Sequence, residues 1–327
     1  MIRFFVKAVC AAICLCSVFT GCKKEVVDSQ SSSEKVSLRI CVPLADTKVV
    51  SGMDETAVKN YQVFLFDANG DIEDYISQSS SDLTLDCTLG KKTIVVFVNA
   101  PAMGDIMNYE TLLTRKSSLS DNEIDAFVMA GMTTTEVKTS QPDALTVQVT
   151  RKVAKIELAS LTVDIDMPQH SSKSFKVSSV YLINVPAEMP YLDFLTSTIW
   201  YNKKAYVAGD DNALIYDDMD DFEVTAETPY IARNTFYCYA NHSLSDSFST
   251  TWSERNTRLV VEAMLGDQKY YYPVTIPRVD QNKKYEVNLK ITRPGALTPD
   301  SVIDKFTADF EVRIKDWQNG GTINEEI

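Results

Sequence analysis

His170 and His242 are the only imidazoles among 327 residues, so acid–base or metal chemistry built on histidine has to pass through one of them. Neither belongs to an HExxH pair or has a second histidine at helical spacing, and the chain carries no phosphate-cradling glycine loop and no GxSxG elbow. His242, Ser243 and Asp246 come nearest to a nucleophile, base and acid. Triad members ordinarily converge from distant segments, however, and three polar residues after a strand are ordinary turn chemistry. The carboxylates of Asp210-Asp211 and of Asp217-Asp218-Met219-Asp220-Asp221-Phe222-Glu223 could attract calcium, but they lack the spacing and the glycine of an EF-hand loop. That segment, 210–223, is expected to be a solvated acidic loop. Tyr270-Tyr271-Tyr272 could stack on a sugar, but at strand spacing Tyr270 and Tyr272 share one face and Tyr271 takes the other, which is sheet packing. No catalytic residue, metal site or cofactor is expected.

The residue with the clearest chemistry is Cys22. Arg3 and Lys7 precede an apolar stretch over 8–19, and Thr20-Gly21 supply the small residues a signal peptidase needs, so the mature chain is expected to begin at Cys22 and to carry lipid there. The apolar stretch is too short for a permanent membrane span. Of seven cysteines, Cys10, Cys14 and Cys16 then leave with the leader. Cys41, Cys87 and Cys238 remain, without CxxC spacing and each in a strand-like run, and are expected to be buried thiols. The net charge of −13 argues against nucleic acid and anionic lipid surfaces as partners.

The remaining sequence supplies mostly strands. Residues 22–35 are polar and Ser-rich, a flexible tether. Val36, Leu38, Ile40 and Val42 then alternate with Ser37, Arg39 and Cys41, the period of a half-buried strand. Further strands are expected at 60–66, 83–88, 92–98, 145–150 and 153–165. A second series covers 176–185, 199–207, 235–240, 257–265, 269–276, 284–292 and 306–316. Ser120-Asp121-Asn122-Glu123 has the pattern of a capping box, with Ile124, Phe127 and Val128 on one face and Gly131 to close it, which predicts a short helix. Many short strands separated by turns indicate two β-sandwiches, 36–165 and 166–327, parted by the polar break at 164–173.

Several segments resemble the fimbrillins, the type V pilus subunits of gut and oral Gram-negative bacteria. Lys91 to Ala100 looks like the family's buried strand ending in Asn-Ala. Thr150-Arg-Lys-Val-Ala-Lys-Ile156 is similar to its Arg-x-x-Ala-Lys strand, and Phe236 to Asn241 and Lys269 to Pro273 to its second-domain aromatic strands. The tail carries the most specific likeness: Asn282-Lys-Lys-Tyr285, Leu289 to Gly295, Pro299-Asp300, and a strand closing on Asp316-Trp317.

The resemblance implies two transthyretin-like sandwiches, export as an outer-membrane lipoprotein, and assembly into a cell-surface fimbrium. It further implies that a trypsin-like surface protease cuts behind the first strand, which leaves, and that a strand from another copy or a related pilin fills the groove. Val36, Leu38, Ile40 and Val42 would be the removable strand. Lys48 would be the cleavage residue and Arg39 the fallback. Phe306, Phe310, Val312, Ile314 and Trp317 would lie in the donor region, with 320–327 ordering on docking. The expected function is thus that of a structural stalk pilin. The alternatives are an anchor or tip subunit that keeps its lipid, and a lipid-tethered carbohydrate binder using Trp200 and Trp252.

Overall fold

Alternating sequence of this kind has to bury one face of each strand, and pairs of sheets do so here. The computed structural model describes residues 35–43, 55, 57–140, 144–192, 197–209, 213–231, 233–244, 246, 252–303, 307–317 and 325–326. Cys22, Lys48 and Phe306 lie outside the described residues. The first half contains β1 (Lys35–Cys41), β2 (Tyr61–Phe66), β3 (Ile72–Gln78), β4 (Leu83–Thr88), β5 (Gly90–Val98), α1 (Tyr109–Leu113), β6 (Lys116–Ser118), β7 (Met129–Val137), β8 (Leu145–Thr146) and β9 (Thr150–Arg151). The second contains β10 (Val153–Val163), β11 (Phe175–Ile183), β12 (Val185–Pro186), β13 (Glu188–Pro190), β14 (Trp200–Tyr201), β15 (Tyr216–Glu223), β16 (Asn234–Tyr239), β17 (Thr257–Leu265), β18 (Gln268–Ile276), β19 (Lys283–Ile291), β20 (Ala308–Asp316) and β21 (Glu325–Glu326).

In the first half, sheet β4-β1-β8 and sheet β3-β2-β5-β7-β9 enclose one core, to which Leu38, Ile40, Val63, Leu65, Leu83, Leu85, Ile94 and Val96 contribute. The larger sheet is buried on its other face too. Phe64, Phe66, Val95 and Phe97 point there and are covered by Ala100, Met103, Ile106 and Leu112 of the connection that carries α1, which is why β2 is apolar on both faces. In the second half, sheet β16-β10-β19-β20-β21 packs against sheet β15-β11-β17-β18 around Ile156, Leu158, Val180, Leu182, Leu259, Val261, Tyr285 and Val287. Pairing of β10 with β16 and β19 means that the sheets change partners at Lys152, ahead of the polar break at 164–173 and of the boundary read at 165. A short antiparallel pair, β6 with β13, joins the halves, and Glu34–Ile327 form one compact unit.

Besides the strand expected at 199–207, of which only Trp200–Tyr201 forms, two local expectations need correction. The segment 120–131 is not a helix. Capping closes two residues earlier, with Ser118 and Asp121 bracketing a single 3-10 turn over Leu119–Asp121. Asn122 then accepts from the Val128 amide at 3.0 Å and gives its own amide to Tyr239 at 3.1 Å, and the chain runs straight into β7 with Gly131 inside the strand. Among the described residues, the α-helix that does form is α1, where Asn108 caps Thr111 N–H at 2.8 Å. Nor is the described end of the acidic segment a loop: Tyr216–Glu223 is β15, an edge strand paired antiparallel with β11, with a bulge where Asp220 and Asp221 adopt positive φ, while Asp210 and Asp211 lie outside the described residues.

Candidate strand-exchange site

Of the residues expected to form a removable strand, Val36, Leu38 and Ile40 fall on β1, the central strand of its small sheet, and Val42 directly follows it. Six residues, Lys35 to Ile40, pair antiparallel with β4, and Ile40 and Cys41 pair parallel with β8. The Val147 amide extends the second edge by donating to Cys41 O at 2.9 Å. Leu38 and Ile40 are 2% and 1% exposed in the core, with Val36 and Val42 packed at its margin. Burying two such side chains stabilises the sandwich by about 1.5–3 kcal/mol each. On the outer face Ser37 donates to Asp86 at 2.7 Å, and Arg39 lies 3.7 Å from Asp82, both exposed. Arg39 is thus paired within the sheet, opposite Thr84. Cys41 shares that outer face and is exposed, unlike Cys87 and Cys238, which are buried as expected. Burial pushes the Cys238 thiol up to about 12.

The C-terminal residues occupy β20, which pairs with β19 along all nine positions from Ala308 to Asp316. Among the described residues, its outer edge carries only β21, opposite Arg313 and Ile314. Alternation is weaker than the sequence suggests. Val312 and Ile314 pack on the core, while Phe310 remains 36% exposed.

Trp317 closes β20 in a setting that sequence reasoning missed. It is 7% exposed, stacked on Tyr237 at 5.6 Å, edge-on to Phe127 at 5.3 Å, with the Arg151 guanidinium 4.6 Å from its ring centre. The Glu55 carboxylate accepts from its indole N–H at 2.8 Å, from Tyr237 Oη at 2.7 Å and from Lys155 Nζ at 2.6 Å. Arg151 Nη2 and Nε bond the Glu55 carbonyl at 3.2 and 3.3 Å. Burial alone would raise the Glu55 pKa, but the hydrogen bonds from Lys155, Tyr237 and Trp317 together hold it below the ordinary carboxylate value. No local signal marks Glu55, because its partners come from β9, β10, β16 and the end of β20.

The other flagged residues are dispersed. His242 Nε2 lies 2.8 Å from Asp280, whereas Asp246 Oδ2 accepts from Arg258 at 2.6 Å, so the three residues of the 242–246 turn do not converge. Arg255 and Arg258, both buried, also converge on Asp300, pinning the connection between β19 and β20. Trp200 is buried, gives its indole N–H to Ser197 O at 2.9 Å and packs against Trp252 at 5.3 Å, so its ring offers little face to a sugar. Tyr272 lies in the core and Tyr271 on the opposite face, as strand spacing requires. Among the described residues, no three His, Cys, Asp or Glu side chains gather as metal ligands would.

The family comparison bears on residues 44–160. They match the family of the major fimbrial subunit protein, FimA. A Bacteroides eggerthii protein named for cell adhesion superposes with a TM-score of 0.65 at 18% identity, covering 87% of this chain and 97% of its own. The fimbrilin FimA of Porphyromonas gingivalis W83 gives 0.62 at 16%, covering 88% and 98%. The C-terminally truncated tip fimbrial protein Mfa3 of Porphyromonas gingivalis gives 0.57 at 15%, covering 87% and 100%. No curated protein matches the sequence. At these identities the likeness to solved structures is one of fold: the chain has the β-sandwich architecture of fimbrillins over nearly its whole described length.

Proposed function

We propose that this protein is a structural pilin, a fimbrial stalk subunit exported as a lipoprotein on Cys22 and polymerised by strand exchange. The position of β1 carries the reading. A central strand that contributes only one short segment of a small sheet can be lost while the facing sheet stays intact. Its loss exposes the inner edges of β4 and β8 and the trench vacated by Leu38 and Ile40. Another strand with alternating apolar residues restores both the backbone pairing and the buried face. The segment 44–54 joins β1 to the body, and Lys48 is its only basic residue. A trypsin-like surface protease cutting there would detach β1 together with the lipid, whereas cutting at Arg39 would first require β1 to unpair. The C-terminal region, through Phe310, Val312, Ile314, Trp317 and the residues beyond, is the donor to another copy or a related pilin.

The test is to shear the cell surface, run the released protein on a gel without boiling, and read the chain's N-terminus by mass spectrometry. A ladder of multimers whose chains begin at Val49 is the expected result. A single band retaining acylated Cys22 would leave an anchor subunit in place of a stalk pilin.

A further inference from the structure

We propose that Glu55 is a latch that holds the C-terminal end of β20 closed, so that opening the groove and releasing the donor are separate events. The consequence for assembly rests on the strand-exchange reading; the latch itself rests on geometry. One carboxylate takes three side-chain hydrogen bonds, from Lys155, Tyr237 and Trp317, between 2.6 and 2.8 Å. Its partners are also packed on each other: the Trp317 ring stacks on Tyr237 at 5.6 Å, and the Arg151 guanidinium lies 4.6 Å from the Trp317 ring centre.

Two features make this a latch on the donor rather than general packing. Glu55 lies seven residues beyond Lys48, so it stays with the cleaved chain. None of its partners belongs to β1, β4 or β8, so removing β1 breaks none of these bonds. The first sandwich can therefore open while the Trp317 end of β20 remains fastened. Releasing that end breaks the Trp317 bond to Glu55 and the stacking on Tyr237, and strips cover from a carboxylate still bonded to Tyr237 and Lys155. A chain so fastened accepts a donor before it gives one, which orders growth and keeps free subunits from joining at both ends at once.

Hydrogen exchange on the full chain tests the latch. E55Q is expected to speed amide exchange over 312–317 at least tenfold and to leave 35–41 unchanged. Tyr237→Phe, which keeps the ring and loses one donor, gives a smaller rise over the same residues. Unchanged exchange over 312–317 in E55Q overturns the proposal, and should E55Q not fold, the same comparison on Tyr237→Phe decides it. After limited trypsin digestion, with an N-terminus at Val49 checked by mass, E55Q should build multimers several-fold faster than the parent. Equal rates would refute the inhibitory role. If neither protein builds multimers while the E55Q exchange is raised, the strand-exchange reading fails and the latch stands.

Discussion

At position 131 only a hydrogen atom fits. A Cβ added to Gly131 would lie 1.9 Å from the carbonyl oxygen of Gln148 and 2.8 Å from its carbon, so β7 can run beneath the 148–149 backbone only because the side chain is missing. Backbone has to move to make room. Gly131→Ala is therefore expected to cost about 1–3 kcal/mol, as overpacking does, and urea unfolding of the variant checks it. Stability equal to the parent's would show that the crossing is looser than this geometry. The same glycine shows what sequence can and cannot tell. A glycine after an apolar run with a capping pattern suggests a helix end, and one that admits a neighbouring backbone carries the same letter. The choice depends on Gln148, which no local pattern connects to residue 131. Glu55 was illegible for the same reason, since it bonds a tryptophan 262 residues away. His242, Ser243 and Asp246 could be set aside from sequence because their spacing already read as a turn.

At the scale of elements, legibility followed burial. β1, β2, β4, β5, β10, β11, β16, β17, β18 and β19 each bury at least one apolar face, and their periodicity placed them to within a few residues. Among the longer strands, β7 inside its sheet was hidden by the helix reading of 120–131, and β3 and β15 were the misses at the edges. Both are sheet edges with acidic sequences, Ile72-Glu-Asp-Tyr-Ile-Ser-Gln78 and Tyr216-Asp-Asp-Met-Asp-Asp-Phe-Glu223, in which the alternation is diluted by charge. Charge at an edge has a purpose of its own. Unpaired backbone there is a template for any passing strand, and carboxylates together with a bulge make pairing unfavourable. For a subunit proposed to polymerise through one chosen groove, a second adhesive edge would be a defect. Replacing Asp218 and Glu223 by Thr is expected to leave the unfolding free energy within about 0.5 kcal/mol, as surface changes do, while light scattering shows association that grows with concentration. A double variant that stays monomeric at every concentration would assign edge protection to the bulge alone. β20 was legible as a strand, but its Phe310 is 36% exposed although Ala308, two residues earlier on the same face, is fully buried.

Across the whole molecule, opposite charges are threaded through the sheet that carries both Glu55's partners and β20, the proposed donor. Glu55 holds Lys155, and Lys155 faces Glu157 at 3.3 Å. Lys284 bridges Glu157 and Glu286 at 3.0 Å each, and Lys315 of β20 holds Glu286 at 2.6 Å, with Arg233 closing on Glu157 at 3.0 Å. Burial would raise the Glu286 pKa, but the bonds from Lys315 and Lys284 override it and bring it from 4.5 to about 2. Glu55 is shifted the same way. A carboxylate whose folded pKa lies below its unfolded one adds stability that is complete above the unfolded value and is lost as pH falls through the folded one. Stability should thus be nearly flat from neutral pH down to about 5, then fall between about 4.5 and 2 as Glu286 protonates. Lys315→Met removes one of the groups that depress Glu286, so its stability should depend less steeply on pH in that window and differ least from the parent's at the acid end. Urea titrations of both proteins at intervals from pH 7 to 2 measure the two slopes. Identical slopes would mean that β20 is held by its backbone pairing and the Trp317 end alone, with the charge ladder contributing nothing to keeping it in its own sheet.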